Sequence, residues 1–239
     1  MQLWLCPLLG LLLGSIPFGL LLAKAGGIDI RQHGSGNIGA TNVLRVMGKK
    51  FGLPCLFLDV LKGVIPTLLA ITLIRFVGQP TGLAIAPLLP YATTLPADQQ
   101  WLAQLLQVVT GLCAILGHNY SPWVGFKGGK GIATSAGVVL ALMPAALVML
   151  VLLWYLLFLI TRYVSVASIV AVAVLPIVTL WGSWHHGRIQ DGTWNKPLFG
   201  FAVIVAVLGI WKHRANIKRL LAGTENRFGK KTEDKNEDN

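Results

Sequence analysis

The sequence predicts an all-α protein that crosses a membrane several times. Of its 239 residues, 54% are hydrophobic and only 12% are charged, and the mean hydropathy is +0.67. Soluble domains contain about 25% charged residues, so this composition excludes a cytosolic enzyme. Several apolar runs approach the roughly 20 residues that a helix needs to cross a bilayer. The net charge of +11 suits anionic lipids or an anionic substrate, and since apolar runs fill most of the chain, no nucleic-acid partner is expected.

Six apolar runs define the predicted spans. They cover residues 3–23, 53–74, 101–116, 132–160, 164–181 and 198–211. The run 132–160 is longer than one crossing needs, and Pro144 lies near its middle. This run forms either one crossing, which gives six spans, or two short or re-entrant legs around Pro144, which give seven.

The distribution of Lys and Arg favours seven spans. Cytoplasmic loops collect positive charge, and seven spans place residues 24–52, 117–131, Arg162 and the basic C-terminal cluster on one side. Six spans would divide this charge between the two sides. We therefore expect a seven-helix transmembrane bundle with the N-terminus outside and the C-terminus in the cytoplasm. A leg of about 13 residues reaches only ~20 Å. The alternative is a re-entrant hairpin, which also leaves residues 117–131 and Arg162 on the same side of the membrane.

One membrane domain is expected over residues 1–228, followed by a disordered cytoplasmic tail, 229–239, whose mixed charges cannot bury a core. The connection 78–100 is rich in Pro and Thr and is expected to be irregular. Inside the second run, Asp59 and Lys62 are three residues apart, so they share a helix face and can neutralise each other.

Residues 34–45 form a glycine-rich stretch that is typical of an anion-binding loop. Closely spaced glycines let the backbone present successive N–H groups, while hydroxyl and amide side chains add donors and an arginine adds a charged fork. The candidate residues are Ser35, Gly36, Asn37, Gly39, Thr41, Asn42 and Arg45. Thr41 or Asn42 is also expected to cap a following helix, whose N-terminus favours an anion. The alternative is a flexible connecting loop.

A second polar loop covers residues 117–131. Its last five residues are Lys127, Gly128, Gly129, Lys130 and Gly131. Glycine and lysine together favour phosphate binding. The loop is not an ATP-binding P-loop, because Gly131 stands where Ser or Thr is required and Val124 stands where the first glycine belongs. The alternative is a turn whose two lysines only fix the orientation in the membrane.

The segment 211–225 has the spacing of a basic amphipathic helix. Such a helix after a last span is typically a membrane-surface anchor, and this role is assigned to Arg214, Lys218 and Arg219. His213 and Asn216 are three residues apart and share a face, which makes them candidates for chemistry. Few carboxylates accompany these loops, so neither a metal site nor another cofactor is expected.

Three motifs in a fixed order carry a family resemblance. Residues 34–45 (GSGNIGATNVLR), 117–134 (GHNYSPWVGFKGGKGIAT) and 213–225 (HRANIKRLLAGTE), with DVLKG at 59–63, resemble the motifs of bacterial membrane acyl-phosphate:glycerol-3-phosphate acyltransferases. The resemblance implies synthesis of lysophosphatidic acid for phospholipids, in the inner membrane, with the active site facing the cytoplasm. The implied partners are glycerol-3-phosphate, acyl-phosphate and membrane lipids, with the enzyme that makes acyl-phosphate as a further candidate.

Matched motif by motif, the resemblance implies site roles for Ser35, Asn37, Arg45, Lys127 with its flanking glycines, Ser165, His213 and Asn216. Together with the residue chemistry above, it assigns catalysis to Ser35, Asn37, His213 and Asn216. Substrate binding is assigned to Gly36, Gly39, Thr41, Asn42, Arg45, Lys127, Gly128, Gly129, Lys130 and Ser165. Ser165 is chosen by the resemblance alone.

The expected reaction is direct acyl transfer without an acyl-enzyme, because an acyl-phosphate is already activated. The base is either His213 or the substrate phosphate, whose second pKa near about 6 leaves it largely dianionic at neutral pH. The alternative function is a transporter for a phosphorylated or anionic small molecule. Transporters usually contain repeats and helices broken near the midplane, whereas this sequence shows no repeat and its polar groups cluster at one face.

Overall fold

The computed structural model describes residues 2–229, and its architecture is helical. In this part of the chain the α-helices are α1 Gln2–Ser15, α2 Phe18–Ala25, α3 Ala40–Met47, α4 Lys49–Leu73, α5 Gln100–Asn119, α6 Ile132–Leu142, α7 Pro144–Thr161, α8 Val164–His185, α9 Lys196–Lys212 and α10 Arg214–Leu221. Apart from Gly229, the predicted disordered tail lies outside the described residues.

Five helical segments within residues 2–229 are long and apolar enough to cross a membrane. They are Leu3–Ala25, Lys49–Leu73, Ala97–Val124, Pro144–Thr161 and Val164–His185. A sixth is added if α9 and α10, which meet at an angle of 53°, are counted as one bent span. The count of seven and the orientation stay predictions.

The predicted break at Pro144 is present, but its two legs are unequal. α6 has 11 residues and a length of about 16 Å, so it is too short to cross a bilayer core alone. α7 has 18 residues and begins with Pro144, where a proline is tolerated because the first turn has no N–H partner to lose. The second leg is therefore a full span.

A proline also breaks the first span, which the sequence predicts as one continuous run. α1 and α2 are separated at Pro17, since proline has no N–H for the helical ladder. Two backbone carbonyls at this break accept hydrogen bonds from distant side chains. Ser121 Oγ donates to Ser15 O at 2.6 Å, and Lys62 Nζ donates to Ile16 O at 2.8 Å. The break thus connects the start of the chain to α4 and to the second polar loop.

The connection 78–100 is more ordered than predicted. Strands β1 Ile74–Phe76 and β2 Thr93–Leu95 pair in parallel, with Ile74 opposite Thr93, and the segments Ala86–Tyr91 and Ala97–Gln99 are 3-10 helices. This small sheet is a departure from the all-α prediction. Three-residue strands carry too little alternation of polar and apolar residues to be recognised in a sequence.

Glycines let two pairs of helices pack closely. A Cβ added to Gly14 of α1 or to Gly117 of α5 would collide with the backbone of the other helix. Gly63 of α4 and Gly137 of α6 face each other's helices in the same way. Small residues at such interfaces allow the helix backbones to approach. This packing holds the end of α5 and the start of α6, which flank the second motif, against α1 and α4.

Candidate active site

Two cavities lie where the three motifs meet. The larger, here called the main cavity, has a volume of about 580 Å³. The smaller, here called the basic cavity, has a volume of about 390 Å³. Five residues line both cavities and are called the junction: Ser35, Asn37, Lys130, Asn216 and Arg219. Each of the three motifs contributes to the junction.

The main cavity has an apolar arm and a polar arm. The apolar arm is lined from α4, α7 and α8 by residues that include Leu53, Leu56, Val151, Trp154, Phe158, Val172 and Leu175. The Trp154 and Phe158 rings stack with centroids 5.3 Å apart. Beyond the junction residues, the polar arm holds Thr41, Arg45, Ser165, His213 and Glu225. A cavity of this kind fits a molecule with a hydrocarbon chain and a polar end.

Asn42 organises the first motif from inside. It is only 2% exposed, its Oδ1 accepts a hydrogen bond from the Ser35 N–H at 2.9 Å, and its Nδ2 donates to backbone carbonyls including Asn37 O at 2.9 Å. Helix α3 begins after Gly39, which has no side chain to cap it. The predicted helix cap at Thr41 or Asn42 is therefore wrong. The side-chain amide of Asn42 forms its hydrogen bonds with the backbone of the loop and so fixes the loop conformation.

The glycine N–H groups of the motifs are also engaged inside the protein. Gly36 donates to a backbone carbonyl at 3.0 Å, Gly39 donates to Asn37 Oδ1 at 2.8 Å, and Gly129 donates to His118 O at 3.1 Å. In this conformation these three groups are not free to bind an anion. Gly36 lines neither cavity. Its φ of 68° explains the glycine instead, because other residues rarely adopt that region.

The basic side chains line different cavities. Arg45 and Lys130 line the main cavity, and within residues 2–229 neither has a hydrogen-bond or ion-pair partner. Burial, assisted by the nearby Arg219 and Arg45, lowers the pKa of Lys130 to about 8, although Glu225 opposes the shift. Lys127 is exposed and lines only the basic cavity, together with Gly128 and Gly129. The lysine at the junction is therefore Lys130.

His213 occupies the bend between α9 and α10 and is 2% exposed. Its Nδ1 lies 2.8 Å from Gly209 O. Since a carbonyl only accepts, Nδ1 carries a proton, and Nε2 is the ring nitrogen left for another partner. His213 lines the main cavity, and Asn216, one turn further on, lies at the junction. The shared face expected from their spacing is thus turned towards the cavities.

Glu225 is the site residue that sequence reasoning missed. Its carboxylate accepts hydrogen bonds from Ser165 Oγ at 2.8 Å, Asn216 Nδ2 at 2.6 Å and Arg219 Nε at 2.8 Å. Partial burial raises the pKa of the Glu225 carboxyl, but the three donors outweigh it and hold the pKa below its usual value. The one available signal was its position at the end of the third motif.

The contacts of Glu225 also correct the role of Arg219. A surface anchor would point towards lipid headgroups, whereas Arg219 pairs with Glu225 and lines both cavities. Arg214 and Lys218, which were assigned to the same anchor, are exposed. Among residues 2–229, no group of three His, Cys, Asp or Glu side chains could hold a metal ion.

Comparisons with known sequences agree on one family. The glycerol-3-phosphate acyltransferase family matches residues 4–223. A glycerol-3-phosphate acyltransferase from Geobacter metallireducens is 46% identical over 217 residues, which cover 91% of this chain and 93% of the relative. The glycerol-3-phosphate acyltransferase of Aquifex aeolicus is 41% identical over 217 residues, with 91% and 94% covered.

Solved structures lead to the same family. A crystal structure of PlsY (YgiH), an integral membrane glycerol 3-phosphate acyltransferase in its glycerol 3-phosphate form, has a TM-score of 0.74 at 38% identity and covers 96% of both chains. Its lysophosphatidic acid form has a TM-score of 0.72 at 37% identity, again over 96% of both chains. The family resemblance of the motifs is confirmed, and this chain is an integral membrane protein that belongs to the glycerol-3-phosphate acyltransferase family.

Proposed function

We propose that this protein transfers a fatty acyl group from acyl-phosphate to glycerol-3-phosphate, giving lysophosphatidic acid and inorganic phosphate. The observation that carries the proposal is the junction, where an amphipathic cavity and a basic cavity share Ser35, Asn37, Lys130, Asn216 and Arg219. A lipid-like donor and a water-soluble acceptor can enter from different cavities and react where the cavities join. The proposal assigns one substrate to each cavity.

The main cavity suits the acyl donor. Leu53, Leu56 and Val151 line it and are between 45% and 52% exposed, so an acyl chain from the bilayer could enter the apolar arm beside them. Burial of each CH₂ group contributes about 0.8 kcal/mol. Arg45, which lacks a partner within the described residues, can bind the donor phosphate through two N–H groups.

The basic cavity suits the phosphate of glycerol-3-phosphate. The basic residues that line it are Lys127, Lys130, Lys212, Arg214 and Arg219, and none of its described lining residues is a carboxylate. Arg219 is paired with Glu225, and the remaining positive side chains attract a dianionic ligand and raise its local concentration. Bound there, the acceptor would direct its hydroxyl towards the junction.

In the proposed reaction, the acceptor hydroxyl oxygen attacks the acyl carbonyl carbon and forms the new ester bond. The bond between that carbon and the phosphate oxygen breaks, and the hydroxyl proton ends on the departing phosphate, either directly or through His213 Nε2. Ser35 and Asn37 are suited to hold the acceptor and the developing oxyanion. Asn216, fixed by Glu225, keeps the same region in shape.

The direct route is supported by the surroundings of the histidine. An acyl-enzyme requires a nucleophile whose base is itself oriented by a third group. His213 Nδ1 faces the backbone carbonyl of Gly209 and not a carboxylate. Glu225 is committed to its own three donors. Within residues 2–229, no arrangement of this kind surrounds Ser35. Ser165 Oγ does donate to the oriented Glu225 carboxylate, but the lowered pKa of that carboxyl makes it a weak base.

The proposal extends to the cellular setting. We infer that the protein lies in the inner membrane with both cavities facing the cytoplasm, because the basic loops are expected on that side. The enzyme that makes acyl-phosphate is then a candidate partner, since its product must reach the main cavity.

The test uses purified protein in lipid vesicles, radiolabelled glycerol-3-phosphate and either acyl-phosphate or acyl-CoA. Lysophosphatidic acid should form with acyl-phosphate, and Arg45→Ala should lower kcat/KM for acyl-phosphate more than tenfold, as expected for a lost charge-assisted contact of about 1.5–3 kcal/mol. Arg31→Ala is the matched control, because Arg31 is exposed and pairs with Asp29 at 2.7 Å outside both cavities. Product from acyl-CoA alone would contradict the proposed donor.

A further inference from the structure

A buried polar cluster lies beneath the second motif, and the reaction proposed above uses none of it. Asp59 and Lys62 of α4 and His118 of α5 are 2%, 4% and 5% exposed. Lys62 Nζ is 2.8 Å from Asp59 Oδ1, and His118 Nδ1 is 3.6 Å from the same oxygen. Ionisable side chains inside a membrane protein are costly and usually serve a function.

His118 lies directly beneath the glycines of the second motif and contacts them. Its backbone carbonyl accepts the Gly129 N–H at 3.1 Å. A Cβ added to Gly128 would collide with that carbonyl, and a Cβ added to Gly129 would collide with His118 Nε2. The two glycines therefore let the loop lie directly on the histidine. Lys130, the next residue, borders both cavities.

Asp59 lies on the other side of the imidazole, next to Nδ1. Asp59 and His118 also line the main cavity, but Nδ1 of the imidazole faces Asp59 and Nε2 packs on Gly129, so both ring nitrogens face protein groups. The separation of 3.6 Å is longer than a hydrogen bond, so the carboxylate acts on the ring through its charge, an interaction that an interior of low polarity strengthens. Lys62 also reaches the chain break, where it donates to Ile16 O.

We propose that Asp59 and His118 are positioning residues for Lys130: through Gly129 they set where the lysine ammonium stands and so how tightly the phosphate of glycerol-3-phosphate binds. This inference rests on the phosphate-binding role of Lys130 given above. It gives a role to a buried carboxylate and histidine that have no step in the proposed reaction, and it gives the glycines of the motif a packing reason.

The first test measures the KM for glycerol-3-phosphate and kcat separately in His118→Ala. KM should rise about tenfold, the size of coupling expected between residues in contact, while kcat at saturating acceptor changes little. Gln107→Leu is the matched control, since Gln107 is a buried polar residue on the same helix whose side-chain amide, within residues 2–229, donates only to Ile74 O and Gln79 Oε1. A loss of kcat alone, or an equal effect of the control, would overturn the inference.

A second variant pair separates positioning from charge compensation and replaces His118→Ala if that protein does not fold. Asp59→Asn should raise the same KM. If Asp59 serves only to neutralise Lys62, removing both charges in Asp59→Asn with Lys62→Met restores the wild-type KM, and the inference is wrong. If Asp59 orients His118, KM stays high in the double variant.

A cycle with Lys130→Met distinguishes this inference from the proposed function. When His118 acts through Lys130, adding His118→Ala (or Asp59→Asn) to Lys130→Met leaves KM nearly unchanged. If the two substitutions instead raise KM independently, so that their effects multiply, the positioning role is wrong while the phosphate role of Lys130 stands. If Lys130→Met by itself leaves KM unchanged, the phosphate role of Lys130 and this inference both fail, even where lysophosphatidic acid is still formed.

Discussion

The Glu225 carboxylate accepts a hydrogen bond from the side-chain amide of Asn216 at 2.6 Å. The two residues belong to the same short motif, yet Glu225 lies beyond the end of α10, so the chain must turn back for them to meet. This return closes the polar arm of the main cavity. An acidic residue thereby lies within a site whose proposed ligands are anions.

Glu225→Gln should impair catalysis through this hydrogen-bond network. In the wild-type protein, Arg219 Nε donates to Glu225 at 2.8 Å. Glutamine keeps one acceptor oxygen, but its other terminal group is an amide N–H₂, which cannot accept that hydrogen bond. Hydrogen bonds to charged groups are worth about 1.5–3 kcal/mol, so kcat/KM should fall more than tenfold. Asp29→Asn is the control, because its ion pair with Arg31 is exposed and such pairs contribute little. Equal activity of the two variants would show that the network is dispensable.

The helices were largely predictable because hydropathy and proline act locally. Each apolar run became at least one helix, and Pro144 divides the run 132–160 as expected. The break at Pro17 was missed, since a proline inside an apolar run gives no sign of which distant groups will satisfy the freed carbonyls. Here those groups are Lys62 and Ser121, which only the packing of α4 and α5 brings near.

The site was predictable at the level of motifs but not of individual roles. The three motifs do meet around two cavities, because each contributes polar groups at helix ends. Asn42 was predicted to bind substrate, but its side-chain amide forms hydrogen bonds within the loop itself. Arg219 looked like an anchor, but Glu225 holds it at the junction. Whether a polar side chain faces a ligand or a neighbour depends on tertiary contacts, which spacing does not contain.

Lys130→Met should weaken acceptor binding more than Lys127→Met. Both changes remove one positive charge from the basic cavity, but Lys127 is exposed and screened by water whereas Lys130 is half-buried at the junction. Charge–charge interactions strengthen as the surroundings become less polar. KM for glycerol-3-phosphate, measured with radiolabelled acceptor, should therefore rise at least tenfold for Lys130→Met and only a few-fold for Lys127→Met. The reverse order would assign the phosphate to the exposed lysine.

The KM for glycerol-3-phosphate should rise above about pH 8. Burial lowers the pKa of Lys130 to about 8, so the free enzyme carries the ammonium below that pH and loses it as the pH rises. An anion binds the charged form, which places the loss of affinity on the alkaline side. Lys130→Arg should remove this rise in KM, because a guanidinium stays charged over the whole pH range. If KM still rises above about pH 8 in Lys130→Arg, the rise is caused by another group.

The orientation predicted from charge can be tested with single introduced cysteines. In intact cells, an impermeant maleimide should label a cysteine at Asp98 and spare cysteines at Lys49 and Lys218, which belong to the basic loops expected in the cytoplasm. All three positions are exposed in the structure. Permeabilised cells serve as the positive control. Labelling at Lys49 or Lys218 at the level found for Asp98 would reverse or divide the predicted topology.

Direct transfer predicts that the donor alone leaves the protein unmodified. Ser35 lies at the junction and Ser165 lines the main cavity. Ser35 has no oriented base among residues 2–229, and Ser165 Oγ donates to Glu225, whose lowered pKa makes it a weak base. The rate should accordingly depend on both substrates in a ternary complex and not follow a ping-pong pattern.

The decisive measurement is intact mass after brief incubation with acyl-phosphate in the absence of acceptor. We expect the unmodified mass at every time point, with lysophosphatidic acid appearing only after glycerol-3-phosphate is added. His213→Ala gives a further distinction. If His213 Nε2 is the base, kcat should fall by about two orders of magnitude or more, in the range that general bases supply. If the substrate phosphate takes the proton, the loss should be smaller and appear mainly in KM. A stoichiometric acyl adduct that disappears on addition of acceptor would refute direct transfer under either assignment of the base.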